Sequence, residues 1–183
     1  MPNWCANSIQ ITGPEDKLSD FYKTLNTPNS CGDTVLFSFH QTGPYVEGES
    51  KFLHNEDMWG TKWDIQNVHV IKQEPTEFLI QGDTAWSPPI KWALLFRVRF
   101  PDLQVRLAYV EIGMGFYGVT TITRDKSVSE DYVIKGEDLL EVITDPETKT
   151  LRPIREGEEV EEIMPAGQLK QFMTQYQIAH MGG

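Results

Sequence analysis

Residues 77–112 read EFLIQGDTAWSPPIKWALLFRVRFPDLQVRLAYVEI, and this stretch decides the fold. Glu77–Thr84 has the β-branched and aromatic content of a strand. Pro88-Pro89 opens a helix predicted to run through about Arg99, with Ile90, Ala93, Leu94 and Arg97 on one face. Phe100-Pro101-Asp102 ends it, and Val105–Ile112 is a second strand. The unit is strand, helix, strand.

Working outward, Ile65–Lys72 is a strand that meets Glu77–Thr84 across a turn at Glu74-Pro75. Ala6–Thr12 alternates, with Ile9 and Ile11 on one side and Ser8, Gln10 and Thr12 on the other. After Gly13-Pro14, Glu15–Leu25 has Leu18, Phe21, Tyr22 and Leu25 at helical spacing and acids in its first turn. Downstream, Phe116–Thr123 pairs with Val105–Ile112 through a tight hairpin at Gly113-Met114-Gly115. The order is strand, helix, strand, strand, helix, strand, the split β-α-β arrangement of ferredoxin-like folds. The expectation is an α+β fold: a ferredoxin-like (β-α-β-β-α-β) antiparallel sheet with both helices on one face and an additional strand hairpin. Its other face is left to an extension or a ligand. Thr27–Asp33 reads as loop, Val35–Phe39 as a short strand, and His40–Thr61 as a long irregular loop of the kind that often carries function. Towards the C-terminus, Tyr132, Val133 and Ile134 add a strand and Asp145–Lys149 turns. Val160–Ile163 is a short segment. Pro165–Ala179 is a terminal helix with Leu169, Phe172, Met173 and Tyr176 on one stripe.

The chain has 183 residues, and its length suggests one domain with additions or at most two small ones. The hydrophobic set is 39%, and fourteen glycines bring the apolar share to about 47%, enough for a packed core. The net charge is −11, but it is not spread evenly. Asp125–Glu162 holds 13 acids against five bases, a net of −8, while the other 145 residues carry −3. All five tryptophans, Trp4, Trp59, Trp63, Trp86 and Trp92, lie in the first half. The expected organisation is a ferredoxin-like body over 1–124 and an acidic C-terminal extension over 125–183, whose terminal helix packs on the body. The opening residues show no basic segment followed by an apolar one, and no apolar run reaches membrane-span length, so the expected location is cytoplasmic, without membrane contact. An acidic balance also disfavours general affinity for nucleic acid. In the basic subset Lys91, Arg97, Arg99, Arg106 and Arg124, Arg97 and Arg99 lie two apart on a helix and so do not share one face.

Four segments are odder than packing requires. They are Met1–Asn7, Trp59–Asp64, Thr84–Pro89 and Tyr109–Phe116. Each sets a Trp or Tyr beside small residues and one polar group at a strand end. Together they nominate Trp4, Asn7, Trp59, Lys62, Trp63, Asp64, Trp86, Ser87 and Glu111 as ligand-binding residues, because aromatic walls with a few convergent polar groups form small-ligand sites. The plainer readings are core or lid packing for the tryptophans and N-capping by Thr84 and Ser87. For Lys62 and Asp64 the plainer reading is a surface ion pair.

Catalytic signatures are thin. His40, His54, His69 and His180 are scattered and no Cys-x-x-Cys occurs, so no metal or cofactor is expected. Gly113-Met114-Gly115 lacks the rest of a phosphate loop. Of the two cysteines, Cys5 with a distant histidine is a nucleophile pair only on paper, and burial is its ordinary role; Cys31 falls in the Thr27–Asp33 loop. Asp64 and Glu111 are the outside candidates for an acid/base pair.

The same four segments, in this order, resemble the YubB-like ferredoxin-like-domain family of bacteriophage and plasmid proteins, over about residues 1–120. The resemblance implies a ferredoxin-like fold and an accessory role, and it supplies no catalytic residues. The expected function is therefore a phage- or plasmid-encoded binding protein, non-enzymatic, in the cytoplasm of a bacterial host. Its partner would be a small polar ligand such as a nucleotide, or a host protein, with counter-defence as the biological sense. Two alternatives stand beside it: an acidic nucleic-acid mimic that inhibits a host protein through 125–162, and a nucleotide-processing hydrolase using Asp64 and Glu111.

Overall fold

A computed structural model describes residues 3–25, 35–42 and 51–179, with side chains from residue 55 in the last segment. Met1, Pro2, Cys31, the 43–50 part of the expected long loop, and His180 lie outside the described residues, as does the side chain of His54. The elements are β1 (Trp4–Thr12), α1 (Glu15–Leu25), α2 (Phe39–Thr42), α3 (Lys51–Trp59), β2 (Gln66–Glu74) and β3 (Glu77–Ala85). There follow α4 (Ile90–Arg99), β4 (Gln104–Glu111), β5 (Phe116–Ile122), β6 (Ser127–Val133), β7 (Leu139–Thr144), β8 (Leu151–Pro153), β9 (Glu162–Pro165) and α5 (Gly167–Gln175).

Six strands form one antiparallel sheet in the order β2-β3-β1-β4-β5-β6. The first four are the ferredoxin-like arrangement, with β1 central between β3 and β4. The sheet runs past residue 124, because β6 pairs along the whole of β5. A smaller sheet follows in the order β8-β7-β9. No described helix is long and apolar enough to cross a membrane.

One face of the large sheet buries Ile9, Ile11, Phe78, Ile80, Val105 and Leu107 under Leu18 and Phe21 of α1 and Trp92 and Phe96 of α4. The buried face of α4 is Trp92, Ala93 and Phe96 rather than the predicted Ile90–Ala93–Leu94–Arg97 stripe. Ile90 and Leu94 pack at its margin. The two aromatics carry the larger apolar area, so the helix turns to bury them. The second face is covered by α5: Leu169, Phe172 and Met173 pack on Ala108, Val110, Tyr117 and Val119.

Val35–Phe39 is not a strand. Phe37 and Phe39 are buried against the Trp92 ring, with centroids 5.6 and 4.9 Å away. The chain then makes the single turn α2, opened by a reciprocal box. The Ser38 N–H donates to Gln41 Oε1 at 3.0 Å, and the Gln41 N–H donates to Ser38 Oγ at 3.2 Å. An aromatic slot and a cap override the local strand propensity. The expected 40–61 loop likewise contains the helix α3.

Candidate functional site

The predicted residues separate into a rim and a set of buried supports. Trp4 pairs with Ala85, which brings the start of β1 beside the end of β3. The Trp86 N–H donates to the Asn3 carbonyl at 2.9 Å, and the Ser87 N–H donates to the Ala85 carbonyl at 2.9 Å. This turn holds Trp86 at φ 73, a left-handed conformation that a bulky residue rarely adopts. Its ring stands out at 47% exposure.

Three hydroxyls stitch this strand end together and to the segment before β2. Ser87 Oγ donates to the Gly60 carbonyl at 2.6 Å, Thr61 Oγ1 to the Ala85 carbonyl at 3.1 Å, and Thr84 Oγ1 to the Ser87 carbonyl at 2.7 Å. Thr84 and Ser87 therefore do not cap α4, whose N-cap position is Pro89 with no side-chain cap. Gly60 reverses the chain at φ 82. The result is a cleft of about 470 Å³ lined by Glu56, Gly60, Lys62, Ala85, Trp86 and Ser87. Lys91 reaches over and donates to the Glu56 carbonyl at 3.1 Å. Beside it, the Trp4 and Trp63 rings lie 6.0 Å apart at 48°, and the Lys62 ammonium is 5.8 Å from the Trp63 ring centre. Trp4 is 37% exposed and Trp63 half-buried.

The remaining predicted residues are inside and already engaged. Trp59 packs in the core against Phe39, 5.8 Å between centroids, and its buried indole N–H meets no acceptor. The Asn7 amide donates to the Cys5 carbonyl at 2.7 Å and to Thr84 Oγ1 at 2.9 Å, tying β1 to β3. Asp64 Oδ1 accepts from the Phe39 and Ile65 N–H groups at 2.7 and 2.8 Å, so it anchors α2, and burial pushes its carboxyl up. Glu111 accepts the Gly113 N–H at 3.0 Å and the Met114 N–H, closing the β4–β5 hairpin. Neither carboxylate lines the cleft. Cys5 is fully buried, and burial pushes its thiol far up, away from the reactive thiolate. No group of three or more His, Cys, Asp or Glu side chains is placed to hold a metal among the described residues.

Sequence reasoning missed Glu56, Gly60 and Lys91. Gly60 was visible as a turn residue, and the other two needed the close packing of α3 on α4. It also passed over Asp83, which is buried with Asn67 Nδ2 donating to Oδ2 at 2.9 Å and nothing bonded to Oδ1. Burial pushes its carboxyl up.

Residues 58–153 match the family model described as the ferredoxin-like domain in Api92-like protein. The crystal structure of the protein Api92 from Yersinia pseudotuberculosis superposes with a TM-score of 0.52 at 10% identity. The superposition covers 74% of this chain and 99% of that one, and it shows a shared fold. No curated protein matches. The matched range takes in β2 to β8 and the helix α4, five of the six strands of the large sheet, while β1 and α1 lie before it. The chain belongs to the family of the ferredoxin-like domain in Api92-like protein.

Proposed function

We propose that this chain is a non-enzymatic binding module whose tryptophan-rimmed cleft takes a small polar ligand with a flat face, such as a nucleotide. The observation that carries this reading is Trp86. A large apolar ring is held in a costly backbone conformation with half its surface in water, on the wall of a cleft that also carries Glu56, Lys62 and Ser87. Strain of this kind costs of order 1–3 kcal/mol and persists where the surroundings impose it, often at ligand sites. Lys62 and Ser87 line the cleft, and the Lys91 ammonium donates to the carbonyl of Glu56 at its wall, so positive charge and a hydroxyl are present there. The candidate acid/base pair is spent on backbone N–H groups, which favours binding over hydrolysis. The YubB-like resemblance extends the proposal to a phage or plasmid accessory protein acting against host defence in the bacterial cytoplasm.

The acidic segment supports the mimic reading less well. At least seven of its thirteen carboxylates have structural partners. Glu130 takes the Tyr132 hydroxyl, Asp131 the Tyr109 hydroxyl, Glu137 the Lys135 ammonium, Asp138 the Leu169 and Gln168 N–H groups, Asp145 and Glu158 Arg152, and Glu161 the Thr144 N–H.

The test is a thermal-shift screen of nucleotides and nucleosides against the full chain, followed by titration of any hit. Stacking on Trp is worth about 1–3 kcal/mol per base, so Trp86→Ala is expected to weaken a hit by roughly ten- to a hundredfold. Unchanged affinity in Trp86→Ala, or no stabilisation by any member of the panel, refutes the reading.

A further inference from the structure

The six-stranded sheet has two edges, and they are built differently. Along β2 the pairing to β3 breaks twice, between Gln66 and His69 and between Val70 and Lys72, and Asn67 sits at φ 50. Irregularities of this kind turn an edge away from strand addition. Along β6 the register with β5 is unbroken, from Ile122↔Ser127 to Phe116↔Val133. All seven residues of β6 are exposed, including the large side chains of Val128, Tyr132 and Val133.

The strand is held in place. The Tyr109 hydroxyl donates to Asp131, the Thr120 and Ser129 hydroxyls meet at 2.9 Å, and the Tyr132 ring stacks on Tyr117 at 5.1 Å and 23°. Gly118 makes room for the first of these contacts. A Cβ there would stand 2.6 Å from the Glu130 carbonyl and 2.7 Å from the Tyr109 hydroxyl. Just beyond the two ends of β6, the Ile134 N–H donates to the Gly115 carbonyl at 2.8 Å and the Lys126 carbonyl accepts from Thr123 at 2.9 Å. Both bonds point inward. Antiparallel alternation then turns the N–H and C=O groups of Ser127, Ser129, Asp131 and Val133 outward.

We propose that β6 is a docking strand, which takes an extended segment of a partner protein carrying one basic residue at its centre. Val128, Glu130 and Tyr132 share one face in the order apolar, acidic, apolar. A Lys or Arg opposite Glu130, with apolar residues two positions to either side, completes that face as cross-strand pairs. Lys126 and Lys135 stand beyond the ends of the strand, so the added positive charge belongs at the middle. A second copy of this chain fits worse. Symmetric pairing centred on Glu130 sets that carboxylate against its own copy, and each chain carries a net −11.

The experiment adds the synthetic peptide Thr-Val-Thr-Lys-Thr-Val-Thr to the full chain and follows amide hydrogen exchange by NMR. Exchange at Ser127, Ser129, Asp131 and Val133 is expected to slow roughly tenfold or more as the edge is covered. The analogue with Glu in place of Lys leaves those amides exposed, and Glu130→Lys reverses the preference. Ser129→Pro removes an outward donor that β5 does not use, and it abolishes protection at the other three amides. No slowing at millimolar peptide overturns the proposal, as does equal protection by both peptides. Concentration-dependent dimers that Ser129→Pro abolishes make the occupant a second copy, which also overturns it.

Discussion

At the residue scale, two side chains are held at a cost, and the costs have different origins. For Trp86 the cost is backbone strain, and the proposed return is a presented ring. For Asp83 it is desolvation: a buried carboxylate with one oxygen bonded to Asn67 and the other without a partner. Because burial raises its folded-state pKa, the folded chain holds the Asp83 proton more tightly than the unfolded chain does. The penalty is therefore complete at neutral pH. It shrinks as pH falls through the folded-state value and is gone below the ordinary carboxylate value. Asp83→Asn keeps an acceptor for Asn67 and removes the charge. It is expected to raise Tm at pH 7 by about 2–4 °C, the equivalent of about 1 kcal/mol in a chain of this length, with the gain shrinking towards pH 4. Thermal melts of both proteins at the two pH values check it, and a lower Tm for the variant at pH 7 refutes it.

At the element scale, the helices depend on caps supplied from a distance. The N-cap position of α5 is Ala166, which has no side chain to offer. Asp138, buried and 31 residues before Leu169, fills the role. Its Oδ1 accepts from Gln168 and Leu169 at 3.1 and 3.4 Å, and its Oδ2 accepts from Lys135 at 3.1 Å. Asp64 does the same for α2 across 25 residues. A carboxylate at a helix N-terminus also meets the positive end of the helix dipole. Asp138→Ala leaves three N–H groups without their acceptor. The expected loss is about 2 kcal/mol, at the upper end for a cap, and it should appear as a lower Tm and faster amide exchange at Leu169. An unaltered Leu169 amide would mean that packing on Tyr117 and Val119 alone positions α5. Of these devices, the Ser38–Gln41 box has a local signature, Ser-x-x-Gln, but the apolar run Val35–Phe39 around it reads as a strand. The distant carboxylates have none, because nothing local pairs Asp138 with an alanine-capped helix thirty residues on.

At the scale of the whole molecule, residues after 124 complete the sheet's second face. Phe172 sits 4.9 Å from Tyr117, and Leu169 and Met173 cover Ala108, Val110 and Val119. Cutting the chain at 124 removes β6 and α5 and uncovers that apolar surface. The truncated chain is expected to bind a hydrophobic dye and melt at least about 10 °C lower, and a soluble, dye-free product with unchanged Tm would contradict this. The charge pattern is read in the same frame. Within the −8 of Asp125–Glu162, Asp138 caps α5, and Arg152 bridges Asp145 and Glu158, pulling the Glu158 carboxyl down to about 2. The sequence by itself determined the β-α-β-β-α-β order of the ferredoxin-like core, the alternation of β1, the β4–β5 hairpin and the terminal amphipathic helix, because these rest on periodicities of two and 3.6 and on turn residues within a few positions. Only the tertiary structure decided which tryptophans face water and which carboxylates are spent as caps. It also decided which edge of the sheet stays open. Exposure and hydrogen-bond partners are set by chain segments that meet across tens of residues, and no local pattern records that meeting.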